Sequence, residues 1–519
     1  MVGMSTNVDA QLRSRPPEGY GRVGGALSWS VLAKALRGVL LAVNSVLVVR
    51  LLGKDNYGYY SLTRTIVGFL TVLCWMGLTQ ALLRYLPELR VSGNSRGARR
   101  LVLLTLAVQF TIWAVMFAAT VVFRTQVQEV WGRPVGGLLM LATGLMLVDL
   151  FVTTWTQVLT SWYELRDLSA AQVLGSAAYL AMAWVALRHG YGAAGVLLAA
   201  GLSNLGIGLF LALDSRRFLE LAASAGEALE ISRVVRYSLP FAAISLLNLI
   251  TWRQSETLIL GAFCPVEQVG FFDRAYTIPQ QFLDFVPAAI WPLMMASFSE
   301  VYARDPHALP RAVRAYYKLL YFLAAPISVW GAALSSRAMV GVYGAAWAPA
   351  GPLCAGFFLL FAVTYLSMPL SLCLYVMEKT WINLIINLGN AAFIVGLDFL
   401  LIPRYGMWGA MVPVGVVILG SPFLYYTMVR RFLPQVGLPW GFILRAYLAA
   451  APLAVLALAT SRVRSLQGLL ALSAVAMVVS VLAIRLLRLL GEEERVLLEK
   501  LRLPLRGLWL RLLFREARA

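Results

Sequence analysis

Residues 29–88, WSVLAKALRGVLLAVNSVLVVRLLGKDNYGYYSLTRTIVGFLTVLCWMGLTQALLRYLPE, contain two apolar runs, 31–49 and 57–82, separated by the turn Leu51-Leu52-Gly53-Lys54-Asp55-Asn56. Each run is long enough to cross a bilayer as a helix, since about 20 apolar residues rising roughly 1.5 Å each span the hydrocarbon. Lys34, Arg37 and Arg64 interrupt the runs. A cation at the centre of a lone spanning helix costs about 2.5–3.5 kcal/mol on insertion scales, so such residues face a protein interior or a watery cavity. The hairpin reads as one wall of a cationic cavity that the rest of the chain closes.

The rest of the sequence continues in kind. Across 519 residues the hydrophobic fraction is 60% and the charged fraction 13%, against roughly 45–50% and 25% in soluble domains. This is the composition of a polytopic, all-α membrane protein. Residues 1–23 are polar, carry Arg13, Arg15 and Arg22, and show no short apolar core with a small-residue cleavage site; the first helix is expected to be the targeting signal. A net charge of +19 would suggest nucleic acid in a soluble chain. Here the cations cluster in alternate loops beside apolar runs, which points to anionic lipid headgroups and away from nucleic acid. Cys74, Cys264, Cys354 and Cys373 fall in or at the ends of apolar runs without CxxC or Cys/His spacing, so they read as packing residues and no metal site is expected.

Apolar runs recur at 24–49, 57–83, 101–123, 136–160, 168–187, 191–213, 237–262, 269–298, 316–341, 350–377, 381–402, 406–429, 441–461 and 466–486, which predicts fourteen spanning helices. The Lys and Arg asymmetry of the loops places both termini in the cytoplasm, with the strongest loop signal at 84–100 and 304–318. An internal repeat accounts for that correspondence. Tyr57-Gly58-Tyr59-Tyr60 matches Val269-Gly270-Phe271-Phe272, Tyr191-Gly192 matches Tyr405-Gly406, and Arg216-Arg217-Phe218-Leu219 recurs as Arg430-Arg431-Phe432-Leu433, at offsets of 212 to 214. Six helices per repeat is an even number, so the two lobes enter from the same side and are expected to be related by a pseudo-two-fold axis along the membrane normal. The expected organisation is a cytoplasmic segment 1–23, an N-lobe 24–213, a cytoplasmic linker 214–236, a C-lobe 237–433, two further helices within 434–488, and a basic amphipathic cytoplasmic tail 489–519.

The patterns RLLGKDNYGYYSL, GLTQALLRYLPE, YSLPFAAISLLNLI and ILGAFCPVEQVGFFDRAYTIPQQ resemble the polysaccharide transporter branch of the multidrug/oligosaccharidyl-lipid/polysaccharide (MOP) exporter superfamily. The resemblance covers roughly residues 24–433. It implies a flippase that moves undecaprenyl-pyrophosphate-linked sugar units from the cytoplasmic to the outer leaflet of the cytoplasmic membrane by alternating access, for O-antigen, capsule or exopolysaccharide synthesis. It also implies membrane lipids, and a polysaccharide polymerase or assembly protein, as partners. Lipid II flippases and cation-coupled drug exporters share the layout and stand as alternatives. A membrane glycosyl polymerase is disfavoured, because there is no large outer loop, carboxylate-rich catalytic motif or P-loop, so no catalytic residues are expected.

Under this reading Lys34, Arg37, Arg64, Arg253 and Arg274 would bind the pyrophosphate or acidic sugars, Arg through paired donors and Lys as a point charge. Ser30, Lys34, Arg37 and Asn44 fall on one face of the first helix at 100° per residue. With Asn248 and Asn387, Ser30 and Asn44 would line the cavity with polar groups. The eleventh helix aligns Asn383, Asn387, Asn390 and Asp398, while Pro279, Pro287 and Pro292 are expected to disrupt the regularity of the eighth. Asp149, Glu256, Asp284 and Asp398 are the candidates for H+ or Na+ coupling, since carboxylates inside spans recur in ion pathways; no other cofactor is expected. The aromatic residues read mostly as interface belts and core packing, with sugar stacking by Trp75 and Trp252 as the alternative.

Overall fold

The computed structural model describes residues 19–91, 94–131, 133–161, 165–220, 231–235, 238–239, 242, 247, 255–377, 379–459, 463 and 465–486. The helix α1 (Gly19–Trp75) breaks at Gly53, where φ is 72° and ψ 173°, a conformation open to a residue without Cβ. The six-residue turn expected from the sequence is therefore confined to one glycine, and α1 becomes two arms, 19–52 and 54–75. The expected run 57–83 ends early: Met76 and Gly77, both at positive φ, separate it from α2 (Leu78–Val91). In α2, Leu78, Ala81, Leu82, Tyr85 and Leu86 recur at helical spacing and pack with Leu101, Val158 and Leu159.

The chain continues through α3 (Ser95–Val122), α4 (Arg124–Trp131), α5 (Arg133–Ser161), α6 (Leu165–Arg188) and α7 (Gly192–Glu220). Asn94 caps α3, its Oδ1 accepting from the Gly97 N–H at 2.8 Å. The second half comprises α8 (Ser255–Phe263), α9 (Val266–Arg304), α10 (Leu309–Tyr343), α11 (Ala350–Val376), α12 (Thr380–Tyr405), α13 (Met407–Arg430), α14 (Trp440–Ala459) and α15 (Leu466–Leu486). Ten described segments are long and apolar enough to cross a membrane, and α1, α9 and α15 bring the described helices close to the expected number. α9 stays helical for 39 residues through all three of its prolines, so the break expected there is absent. The Leu283 carbonyl, which Pro287 leaves without its helical donor, accepts from the Tyr365 hydroxyl on α11.

Two compact units form: Met1–Asn56 with Ile66–Leu246, and Tyr57–Thr65 with Leu247–Ala519. The start of the second arm of α1 thus packs with the second unit, although its place in the chain lies within the expected N-lobe. The linker expected to start at 214 is helical as far as Glu220. The repeat is visible in the backbone: Gly192 and Gly406 have φ of 54° and 57°, and each precedes or opens a spanning helix at an offset of 214. Equal unusual torsions at equivalent places mean that the two halves solve the same turn in the same way.

In the first unit, α5 packs against α7, and α6 also packs against α7; the Ser203 hydroxyl donates to the Gly175 carbonyl at 2.5 Å. In the second, α10 packs on α11 and α14, and α9 on α11. The two helices beyond the repeat belong to this unit. Trp330 Nε1 on α10 donates to Ser473 Oγ on α15 at 3.3 Å, Arg337 donates to the Ala457 carbonyl, and Leu334, Ala457, Leu469 and Leu472 form a shared apolar cluster.

Candidate substrate and ion sites

Arg37 lies in the first arm of α1, half-buried. Its Nη1 donates to Gln172 Oε1 on α6 at 2.9 Å, and its Nε is buried without a hydrogen-bond partner. No carboxylate pairs with it among the described residues. Seven residues on, two helical turns along the same face, Asn44 is buried and its Oδ1 has no partner. A guanidinium held by a neutral amide keeps its whole charge and part of its donor set for another ligand. Ser30 and Lys34 lie on the same helix, with side chains outside the described set; Asn248, Trp252 and Arg253 lie outside the described residues.

Arg274 has a different setting. It is 8% exposed; its guanidinium pairs with Asp273 Oδ2 at 3.2 Å, donates through Nε to the Tyr57 hydroxyl and lies 4.7 Å from the centroid of the Tyr57 ring. Tyr57 in turn donates to Asp273 Oδ2 at 2.6 Å, and Trp347 packs edge-on against Tyr57 and Phe271. Burial and these partners hold Arg274 inside the second unit. Its work there is to fasten the Tyr57–Thr65 segment to α9. Arg64, in the same segment, is exposed and lies 5.8 Å from the Tyr60 ring centroid.

The four carboxylates separate. Glu256 on α8 and Asp398 on α12 are both fully buried and close enough for their charges to interact, with Ser255 beside Asp398. The Ser255 hydroxyl also donates to Glu256 Oε2 at 3.4 Å. Neither oxygen of Asp398 finds a hydrogen-bond partner, and no described cation pairs with it. Asp149, by contrast, is exposed and accepts from Asn204 Nδ2 at 2.6 Å, while Asp284 is exposed near Tyr365. The structure therefore brings together one pair, Glu256 and Asp398, out of the four candidates. Among the described residues no group of three or more His, Cys, Asp or Glu gathers in metal-binding geometry.

The amides expected to line a cavity from α12 connect helices. Asn383 exchanges bonds with Ser371 Oγ and its carbonyl at 3.3 and 3.2 Å, Asn390 Nδ2 donates to Ser421 Oγ at 3.0 Å, and Asn387 lies beside Tyr425. Trp75 packs against the cluster of Cys74, Met146 and Leu150. Two residues that matter were not singled out as functional from the sequence. Gln172 is a lone amide in the run 168–187, and its isolation among apolar residues was the available signal; Tyr57 belongs to the repeat motif, which drew attention to its glycine instead.

Two bundles of long apolar helices, carrying an internal sequence repeat and charged groups within their spans, define a multi-pass membrane protein. The chain belongs to the family described as "Polysaccharide biosynthesis protein", which matches residues 47–352. No curated protein sequence matches it. Its fold is that of "Lipid II flippase MurJ, inward closed conformation", with TM-score 0.69 at 11% identity, covering 88% of this chain and 98% of that one. A multidrug resistance MATE family transporter of the MOP superfamily in an inward-facing conformation gives TM-score 0.62 at 13% identity over 78% of this chain and 98% of that one. The Vibrio cholerae MATE transporter VcmN gives 0.54 at 13% identity over 80% and 96%.

Proposed function

We propose that the protein flips undecaprenyl-pyrophosphate-linked oligosaccharide units from the cytoplasmic to the outer leaflet by alternating access, in the cytoplasmic membrane with both termini inside, for surface polysaccharide synthesis. The observation that carries this reading is Arg37, a cation inside a span with an amide neighbour and no paired carboxylate among the described residues. A half-buried charge whose donors are only partly met within the protein is favoured by a ligand that completes them. A pyrophosphate suits a guanidinium because paired N–H donors match its oxygens and both partners are charged. The lipid tail would stay in the bilayer while the headgroup passes through the protein.

Glu256 and Asp398 are proposed as the coupling site. Asp398, buried beside Glu256 with neither oxygen hydrogen-bonded, suits a proton or a Na+ ion, and an ion taken up on one side and released on the other links transport to its gradient. Membrane potential provides a second driver: a dianionic headgroup moving outward from an inside-negative cell gains about 4–5 kcal/mol per 100 mV. The test is reconstitution into sealed vesicles with a fluorescent undecaprenyl-pyrophosphate oligosaccharide, following headgroup accessibility to an impermeant quencher under imposed H+, Na+ and potential gradients. Transport is expected for wild type and strongly reduced for Arg37→Ala. Transport of lipid II alone, or drug efflux without headgroup flipping, would replace this reading with one of its relatives' activities.

A further inference from the structure

At one end of the second unit, three connections meet around a cavity of about 450 Å³: the end of α9 with the start of α10, the turn from α11 to α12, and the turn after α13. This is the end that the repeated Arg430-Arg431 sequence and the loop cations assign to the cytoplasm. Its lining is divided by chemistry. His307, Lys379 and Gln435 supply polar groups, while Met377, Phe432 and Pro434 are among the apolar residues that form most of the wall. Lys379 Nζ lies 5.6 Å from the Phe432 ring centroid, with no carboxylate paired to it among the described residues. Asp305, the acid nearest in sequence to His307, already accepts from the His307 backbone N–H at 2.9 Å.

We infer that this cavity holds the phosphate headgroup of an anionic bilayer lipid of the phosphatidylglycerol class. Basic pockets between helices at the cytoplasmic membrane surface suit such headgroups. Lys379 offers charge and donors to the phosphate, His307 a ring N–H, and Gln435 a donor to it or to the glycerol hydroxyls. The apolar wall fits the glycerol backbone and the start of the acyl chains, which inorganic phosphate lacks. Phe432 meanwhile holds the Lys379 ammonium by a cation–π contact that leaves its remaining donors available.

The test is native mass spectrometry of the full-length chain in detergent, titrated with phosphatidylglycerol, phosphatidylcholine or inorganic phosphate. The basic tail also attracts anionic lipid, so the readout is the difference between wild type and variant at equal lipid. Lys379→Glu is expected to weaken phosphatidylglycerol binding about tenfold, with thermal unfolding in lipid-free detergent confirming that the variant is folded. Phe432→Ser is expected to weaken phosphatidylglycerol further than inorganic phosphate. Phosphatidylglycerol binding unaltered in a folded Lys379→Glu variant would overturn the site. Inorganic phosphate competing as well as the lipid would overturn the choice of a lipid ligand. Because transport is not measured, failure here leaves the flippase reading standing, and the reverse holds too.

Discussion

Arg37 and Arg274 are the same residue type, each within an apolar stretch, yet the two units treat them in opposite ways. In the second unit Arg274 has Asp273 and Tyr57 around it, and the three close a buried network. In the first, Arg37 has one amide and an unpartnered Nε. Position in a span marks both as costly. Compensation separates them: the neutralised cation holds structure together, and the uncompensated one is available to an anion. Asp398 mirrors Arg37 with the sign reversed, a buried carboxylate left for a cation.

The comparison is broken most directly at Arg274. Arg274→Ala leaves Asp273 buried without its cation, a loss of about 3–5 kcal/mol, and is expected to lower the amount of folded protein in the membrane sharply. Tyr57→Phe removes the shared hydroxyl and is expected to cost about 1–3 kcal/mol. Thermal unfolding of the purified variants measures both. A stable Arg274→Ala protein that has lost only transport would return Arg274 to the substrate ligands.

Arg37→Ala is expected to do the opposite, leaving the unfolding temperature close to wild type while transport falls about ten- to a hundredfold, the value of one or two charge-assisted hydrogen bonds. Arg37→Lys keeps the charge without the fork of donors and is expected to retain part of the rate. The vesicle assay with matched protein levels separates these outcomes. Equal transport by a well-incorporated Arg37→Ala variant would end the reading of Arg37 as a ligand.

Asp398→Asn sharpens the mirror image. Removing an uncompensated buried charge is expected to leave stability unchanged or raise it by about 1–3 kcal/mol, while transport loses its response to an imposed H+ or Na+ gradient. A variant that keeps that response would move coupling away from the Glu256–Asp398 pair.

Much of the architecture was legible because its signals are local. Run length gave most of the long apolar helices, and repeated Tyr-Gly motifs identified the turns whose φ values agree at Gly192 and Gly406. The sites were only half legible, because a helical wheel tells which residues share a face and not what that face meets. Arg274 and Tyr57 are 217 residues apart, and Glu256 meets Asp398 only once α8 and α12 pack. Proline chemistry misled in α9, where the expected irregularity is absorbed by the surrounding helices.

The smallest effect probes the polar stripe of α12, which the sequence presented as one face and the structure divides. Asn390 bonds Ser421 and Asn383 bonds Ser371, so each links α12 to a neighbour, whereas Asp398 on the same helix has neither oxygen satisfied. Interhelical hydrogen bonds of this kind average about 0.6 kcal/mol inside membranes, because the separated helices find other partners. Asn390→Ala is therefore expected to lower stability by about that amount, with the rate and gradient dependence of transport unchanged. If Asn390→Ala instead altered the gradient response as Asp398→Asn does, the stripe would act as one ion path along α12, and the division between satisfied amides and unsatisfied acid would have no functional meaning.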